Sequence, residues 1–162
     1  MFGKNNIKFG VSYRYRHIIK KKEIDWFCGK LINLHIAVLP FGRGADPNIW
    51  SYLENTPKGV TIHIIDDGID TGPILMQRHV DIDVWHDTLS SSYDKLSRVM
   101  EFLFINNCKN ILNGKIEAEP QNNKEGSFHY SMEKEAYSHL WAEKGWETPV
   151  SDLIGKAIQP GS

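Results

Sequence analysis

Two polar residues, Asn33 and His35, interrupt the otherwise apolar stretch Leu31-Ile-Asn-Leu-His-Ile36. Side chains alternate faces along a strand, so Leu31, Asn33 and His35 point to one side while Ile32, Leu34 and Ile36 point to the other. An amide and an imidazole buried side by side cost about 1–3 kcal/mol each if left unpaired, so they either satisfy one another and the backbone or face a ligand. Carboxylates come from the polar loop Asp66-Asp-Gly-Ile-Asp-Thr-Gly72, where Gly68 and Gly72 permit a tight turn around Asp70. The alternation of a calcium loop, with Gly sixth and Glu twelfth, is absent there. An amide, an imidazole and an acid at one crevice are the parts needed to move an acyl group to an amine. Asn33 and a protonated His35 would donate hydrogen bonds to the oxyanion of a tetrahedral intermediate. Asp70 would hold the imidazolium or take up, through a water, the proton that the amine loses. No Ser or Cys stands beside a base on a sharp turn, which speaks against an acyl-enzyme.

The elements that must position these residues follow from patterning. Ile7 to Tyr13 reads as a buried strand, Lys20 to Phe27 as a short helix ended near Gly29, and Leu31 to Ile36 as an interior strand of a parallel sheet. The glycines of Phe41-Gly-Arg-Gly-Ala-Asp46 mark a loop, after which Asp46 would cap a helix opened by Pro47 and stopped before Pro57. Gly59 to Ile65 and Ile74 to Val80 are further strands. If Gly59–Ile65 runs parallel to Leu31–Ile36, the aspartates fall in the crevice beyond the carboxyl ends of adjacent strands, where open α/β sheets bind ligands. Asp87-Thr88 then open the longest helical pattern, with Leu89, Tyr93, Leu96, Met100 and Leu103 on one face and Asn113-Gly114 at its end. Met132 to Lys144 looks helical, with Trp146, Val150, Leu153 and Ile154 docking a last short helix. Strands alternating with helices predict an α/β domain, with a core over residues 1–121 and a helical tail over 122–160 packed on it.

Composition excludes more than it specifies. Hydrophobic residues make up 41 % and charged residues 24 % of the 162 residues, ordinary globular usage, and the formal charge of −1 gives no global pull toward nucleic acid or membrane. The basic run Arg14, Arg16, His17 and Lys20 to Lys22 reads as a solvated helix start. Cys28 and Cys108 are read as buried, inert thiols, and with no apolar run long enough to span a bilayer a cytoplasmic location is expected. His79, His86, His129 and His139 share no metal-ligand spacing, so no metal is expected. His63 is read as a core or crevice-lining histidine with a hydrogen bond. Trp50, Trp85, Trp141 and Trp146 are read as packing residues, and Arg43 as either solvated or positioned on an anionic group.

The segments Ile32-Asn-Leu-His-Ile-Ala-Val-Leu-Pro40, Arg43-Gly-Ala-Asp-Pro47, Gly59-Val-Thr-Ile-His63 and Ile69-Asp-Thr-Gly72 resemble, in order and spacing, the folate-dependent formyltransferases. That family includes glycinamide ribonucleotide, methionyl-tRNA and sugar-nucleotide N-formyltransferases. The resemblance implies catalytic roles for Asn33, His35 and Asp70 and 10-formyltetrahydrofolate as formyl-donor cosubstrate. It also implies folate-binding roles for Ser12, Tyr13, Arg14, His17 and Ile18 on one wall and for Ile65, Asp66, Asp67 and Gly68 on the other, largely through backbone. Arg43-Gly-Ala-Asp-Pro-Asn48, Thr56-Pro-Lys-Gly-Val-Thr61 and Gly145-Trp-Glu-Thr-Pro149 look most like members acting on amino-sugar nucleotides. The implied fold is a partial Rossmann-like domain with a mostly parallel sheet and flanking helices, lacking the first βαβ units of the family. A second copy or a partner chain would then cover the exposed sheet edge. The rival expectation is an inactive remnant that binds folate or a partner without turnover.

Overall fold

In the computed structural model, residues 9–122 and 124–157 are described. The elements follow in the order β1 (Gly10–Tyr13), α1 (Lys21–Phe27), β2 (Leu31–His35), β3 (Arg43–Gly44), α2 (Pro47–Leu53), β4 (Gly59–Ile64), β5 (Ile74–His79), α3 (Leu89–Leu112) and β6 (Phe128–His129). The expected beginning of the first strand at Ile7 and Lys8 lies outside the described residues. The result is a mixed α/β arrangement with a four-stranded sheet in the order β1-β2-β4-β5 and a two-stranded sheet, β3-β6.

One orientation differs from expectation. β1 pairs parallel with β2, but β4 runs antiparallel to both β2 and β5, with Asn33 opposite His63 and His35 opposite Thr61. The apolar runs of β2 and β4 report only burial on both faces; they carry no signal of strand direction. One face of this sheet presents Ile32, Leu34, Val60 and Ile62 to Leu96, Met100 and Leu103 of α3, forming the larger core. Alternation therefore turns Asn33, His35, Thr61 and His63 together to the opposite face.

Helix α3 begins with a reciprocal cap: Ser91 N–H donates to the Thr88 side chain while Thr88 N–H donates to Ser91 Oγ. α2 differs from its predicted start. Asp46 occupies the cap position but makes no capping bond; its carboxylate pairs with Lys134 at 2.8 Å, and Pro47 supplies the helical φ instead. The smaller core joins Ile49, Trp50, Tyr52 and Leu53 around α2 to Leu89, Val150 and Leu153. The segment expected to be a helix from Met132 to Lys144 is instead a 3-10 stretch over Glu133–Leu140, followed by short 3-10 turns at Gly145–Glu147 and Val150–Asp152. Charged residues spaced through it leave only Tyr137, Leu140 and Trp141 to pack, too few to hold a regular amphipathic helix.

Two burial expectations are corrected. Trp85 is 82 % exposed in a turn whose backbone is held by Asp83, whereas Trp146, though largely exposed, packs edge-on against Tyr93. Cys28 is exposed because it ends α1 in a left-handed conformation, and Cys108 is half-buried on the outer side of α3. No helix among the described residues is long and apolar enough to cross a membrane.

Candidate active site

The loop between β4 and β5 leaves the sheet beside the start of β2, where Ile65 N–H donates to Leu31 O. In this antiparallel arrangement the loop must fold back across the polar face to bring Asp70 to Asn33 and His35, and it does. Asn33 Nδ2 donates to Asp70 Oδ1 at 3.2 Å, and His35 Nδ1 lies 3.7 Å from Asp70 Oδ2. Gly44 N–H, from β3, donates to Asp70 Oδ2 at 2.9 Å. The three residues picked from sequence therefore converge, by a route other than the parallel crevice first expected.

Local sequence explains the fold-back. Asp70 has a φ of 55°, a left-handed value that few residues other than glycine, asparagine and aspartate take readily. Asp66 Oδ1 accepts from Gly68 N–H and Thr71 Oγ1, tying the loop on itself. Gly72 passes so close to the Ile64 carbonyl that a Cβ would overlap it. Gln121, beyond α3, donates to the carbonyls of Asp70 at 3.0 Å and Gly72 at 2.6 Å and clamps the loop from outside.

Electrostatics make Asp70 the fixed charge of the cluster. Burial pushes its carboxyl upward, but the charge of His35, the His63 ring and the Gly44 N–H outweigh that cost and hold it well below the usual carboxylate range. His63, taken from sequence for a core or crevice histidine, contributes directly. Its Nε2 stands 3.4 Å from Asp70 Oδ1, at ion-pair distance but off hydrogen-bonding alignment, and its Nδ1–H donates to Ile64 O at 2.9 Å. The buried His35 donates through Nε2 to Gly42 O at 2.8 Å, since a carbonyl can only accept. Both rings thus spend one N–H on the backbone and turn the other nitrogen toward Asp70.

The remaining candidates fall into two groups. Tyr13 OH donates to Glu101 at 3.0 Å and Arg14 to Ser97 Oγ at 2.7 Å, so these side chains lie against α3. Ser12 is half-buried in β1 opposite Asn33, while His17, edge-on to Tyr15, and Ile18 are exposed. Ile65, Asp66, Asp67 and Gly68 form the near end of the β4–β5 loop, and Lys21 links the two groups by pairing with Asp67 at 2.9 Å. Arg43 is buried and donates to Glu125 O at 3.0 Å, so it is not the solvated residue that one reading of its sequence allowed.

Sequence reasoning missed the supports: the His63 contact, the Gly44 amide, Gln121, and the group Glu54, Ser127 and His129 beside β3. The His63 contact depends on the pairing of β2 with β4, which sets His63 opposite Asn33; the others are backbone or long-range contacts.

The formyl transferase family matches residues 4–107, and the chain belongs to that family. A methionyl-tRNA formyltransferase of Thermodesulfovibrio yellowstonii is 36 % identical over 117 residues, 72 % of this chain but 38 % of that protein. The chain thus spans well under half of that curated relative. The crystal structure of the formyltransferase PseJ from Anoxybacillus kamchatkensis, in complex with UDP-4,6-dideoxy-4-formamido-L-AltNAc and tetrahydrofolate, superposes with a TM-score of 0.90. It is 49 % identical, and the match covers 95 % of this chain and 80 % of PseJ. An N-formyltransferase of Helicobacter canadensis, complexed with folinic acid and dTDP-3-aminofucose, gives a TM-score of 0.71 at 29 % identity, covering 92 % of this chain and 54 % of that one.

Proposed function

We propose that this chain transfers a formyl group from 10-formyltetrahydrofolate to a primary amine of a nucleotide-linked amino sugar. The observation that carries the proposal is the convergence of Asn33, His35 and Asp70 on one face of the sheet, with a 3.7 Å separation between imidazole and acid that is too long for a hydrogen bond. Asn33 Nδ2 uses one hydrogen on Asp70, so its second hydrogen remains to meet an oxyanion. His35, protonated on Nδ1 as well as Nε2, supplies the second donor. The amine nitrogen attacks the formyl carbon, a new C–N bond forms, and the carbonyl electrons move to the oxygen between these donors. Asp70 takes the proton released by the amine, directly or through water. The bond from formyl carbon to the folate nitrogen then breaks, and His35 protonates that nitrogen as it leaves.

The similarity to PseJ supports a UDP-linked amino sugar as acceptor, and the folate compounds bound by PseJ and the Helicobacter enzyme support the donor. The segments Ser12–Ile18 and Ile65–Gly68 would hold the folate. The test is an assay of formyl transfer from 10-formyltetrahydrofolate to a UDP-linked 4-amino sugar, run beside methionyl-tRNA as the alternative acceptor. Turnover with the sugar is expected. Turnover with the tRNA alone would overturn the acceptor, and folate binding by calorimetry without any transfer would favour the remnant over the enzyme.

A further inference from the structure

The residues C-terminal to α3 supply more than packing to the site. Ser127 precedes β6 and grips the backbone around Gly42, the residue whose carbonyl receives His35. Gly42 N–H donates to Ser127 Oγ at 3.0 Å, and Arg43 N–H donates to Ser127 O at 3.0 Å. The Ser127 hydroxyl in turn donates to Glu54 Oε2 at 2.7 Å. Both peptide groups that flank Gly42 are therefore gripped by one residue. The peptide whose carbonyl meets His35 is held through its N–H by the Ser127 backbone carbonyl, and the preceding peptide is held by the Ser127 hydroxyl.

Glu54 sits at the end of α2, so the grip is referred to a helix of the smaller core. Its other oxygen, Oε1, accepts from His129 Nε2 at 2.7 Å, and the His129 ring stacks on Trp50 with centroids 3.5 Å apart. Burial alone would raise the Glu54 carboxyl, but His129 and Ser127 outweigh it and hold it below its ordinary value, so a charged acceptor faces the Ser127 hydroxyl at neutral pH. The orientation along the chain is unambiguous. Glu54 can only accept from Ser127, so Ser127 Oγ accepts from Gly42 N–H; Gly42 O, which belongs to the next peptide group, can only accept from His35.

We infer that Ser127, anchored by Glu54, is a positioning residue that holds the Gly42 backbone so that its carbonyl meets His35 Nε2–H, and so reserves Nδ1 for Asp70 and the reacting groups. The mechanistic consequence rests on the formyl-transfer reading, whereas the tautomer does not. Neither residue touches the reacting atoms, so their removal lowers the population of the competent ring orientation and leaves substrate contacts in place.

The test is ¹⁵N NMR of the imidazole nitrogens in the full chain, with His35 assigned by comparison with His35→Gln, alongside kinetics. In the wild type the proton is expected on Nε2. Ser127→Ala should raise the Nδ1–H share, lower kcat about tenfold with KM for both substrates unchanged, and shift the pH–rate profile. Ser127→Thr, which keeps the hydroxyl, should recover both readouts. Glu54→Gln should move them in the direction of Ser127→Ala and serves if that variant fails to fold. A wild-type spectrum with the proton on Nδ1 overturns the inference, as does a folded Ser127→Ala with unchanged His35 tautomer and kcat. The wild-type spectrum decides the tautomer even if no acceptor is turned over, which keeps this result separate from failure of the proposed reaction.

Discussion

Replacing Asp70 by Asn removes the charge of the cluster while keeping its shape. Asparagine is among the few residues that accept a left-handed backbone, so the φ of 55° at this position adds little strain in the variant. Its amide oxygen can still accept from Gly44, and the fold should persist. What is lost is the attraction between the carboxylate and a protonated His35, whose Nδ1 lies 3.7 Å from Asp70 Oδ2 with both side chains buried. At an effective dielectric of about 20, two unit charges at that distance interact by roughly 4 kcal/mol. If the imidazolium is needed in the transition state, that difference appears in the barrier, and each ~1.4 kcal/mol is tenfold in rate. The expected outcome is kcat lower by about a thousandfold with near-normal thermal unfolding, measured by following tetrahydrofolate release against UDP-amino sugar. A folded Asp70→Asn protein retaining kcat within tenfold of wild type would refute the electrostatic argument and the role given to Asp70.

Gly72→Ala should destabilise the protein and misplace Asp70 together, because the added Cβ overlaps the Ile64 carbonyl; a Tm equal to wild type would show that the loop relaxes freely. Met100→Ala, at a fully buried position of the larger core, should lower unfolding free energy by about 2–5 kcal/mol in urea titration with activity per folded molecule preserved. The Glu54–His129 tie gives a pH dependence of definite sign. Burial pulls the His129 pKa down, but Glu54 and Glu133 overcome it and raise it above 6.5, so this stabilisation is complete below 6.5 and fades as pH rises through the folded value. Thermal unfolding should show that decline above neutral pH in the wild type and lose this component in His129→Ala; identical pH profiles for the two proteins would remove the tie from consideration.

The elements were legible where periodicity was strong and local. β2, β4, β5 and α3 all stand within a residue or two of their expected limits, because apolar alternation, a helical stripe and a threonine cap are each written in adjacent residues. Strand direction was not legible: β4 reads the same in either sense, and only the strand pairing sets Asn33 opposite His63. Asn33 and His35 stood out because polar groups in an apolar run need a reason, and Asp70 because its loop sets carboxylates between glycines. Ser127 and Gln121 did not, since nothing near them in sequence reveals that they reach Gly42 and Gly72 across more than 45 residues. Trp85 failed in the other direction: aromatic character suggested burial, but a turn projects it into solvent.

Gln121 and Ser127 both lie past residue 107, where the match to the formyl transferase family ends. Asn33, His35 and Asp70 thus lie within the matched stretch, while Gln121 and Ser127, which hold the Asp70 loop and the Gly42 backbone, come from beyond it. Exchanging the C-terminal third of the chain would leave Asn33, His35 and Asp70 in place, yet release the contacts that hold the loops around them. A chimera designed with that in mind would carry residues 119–129 along with the matched stretch.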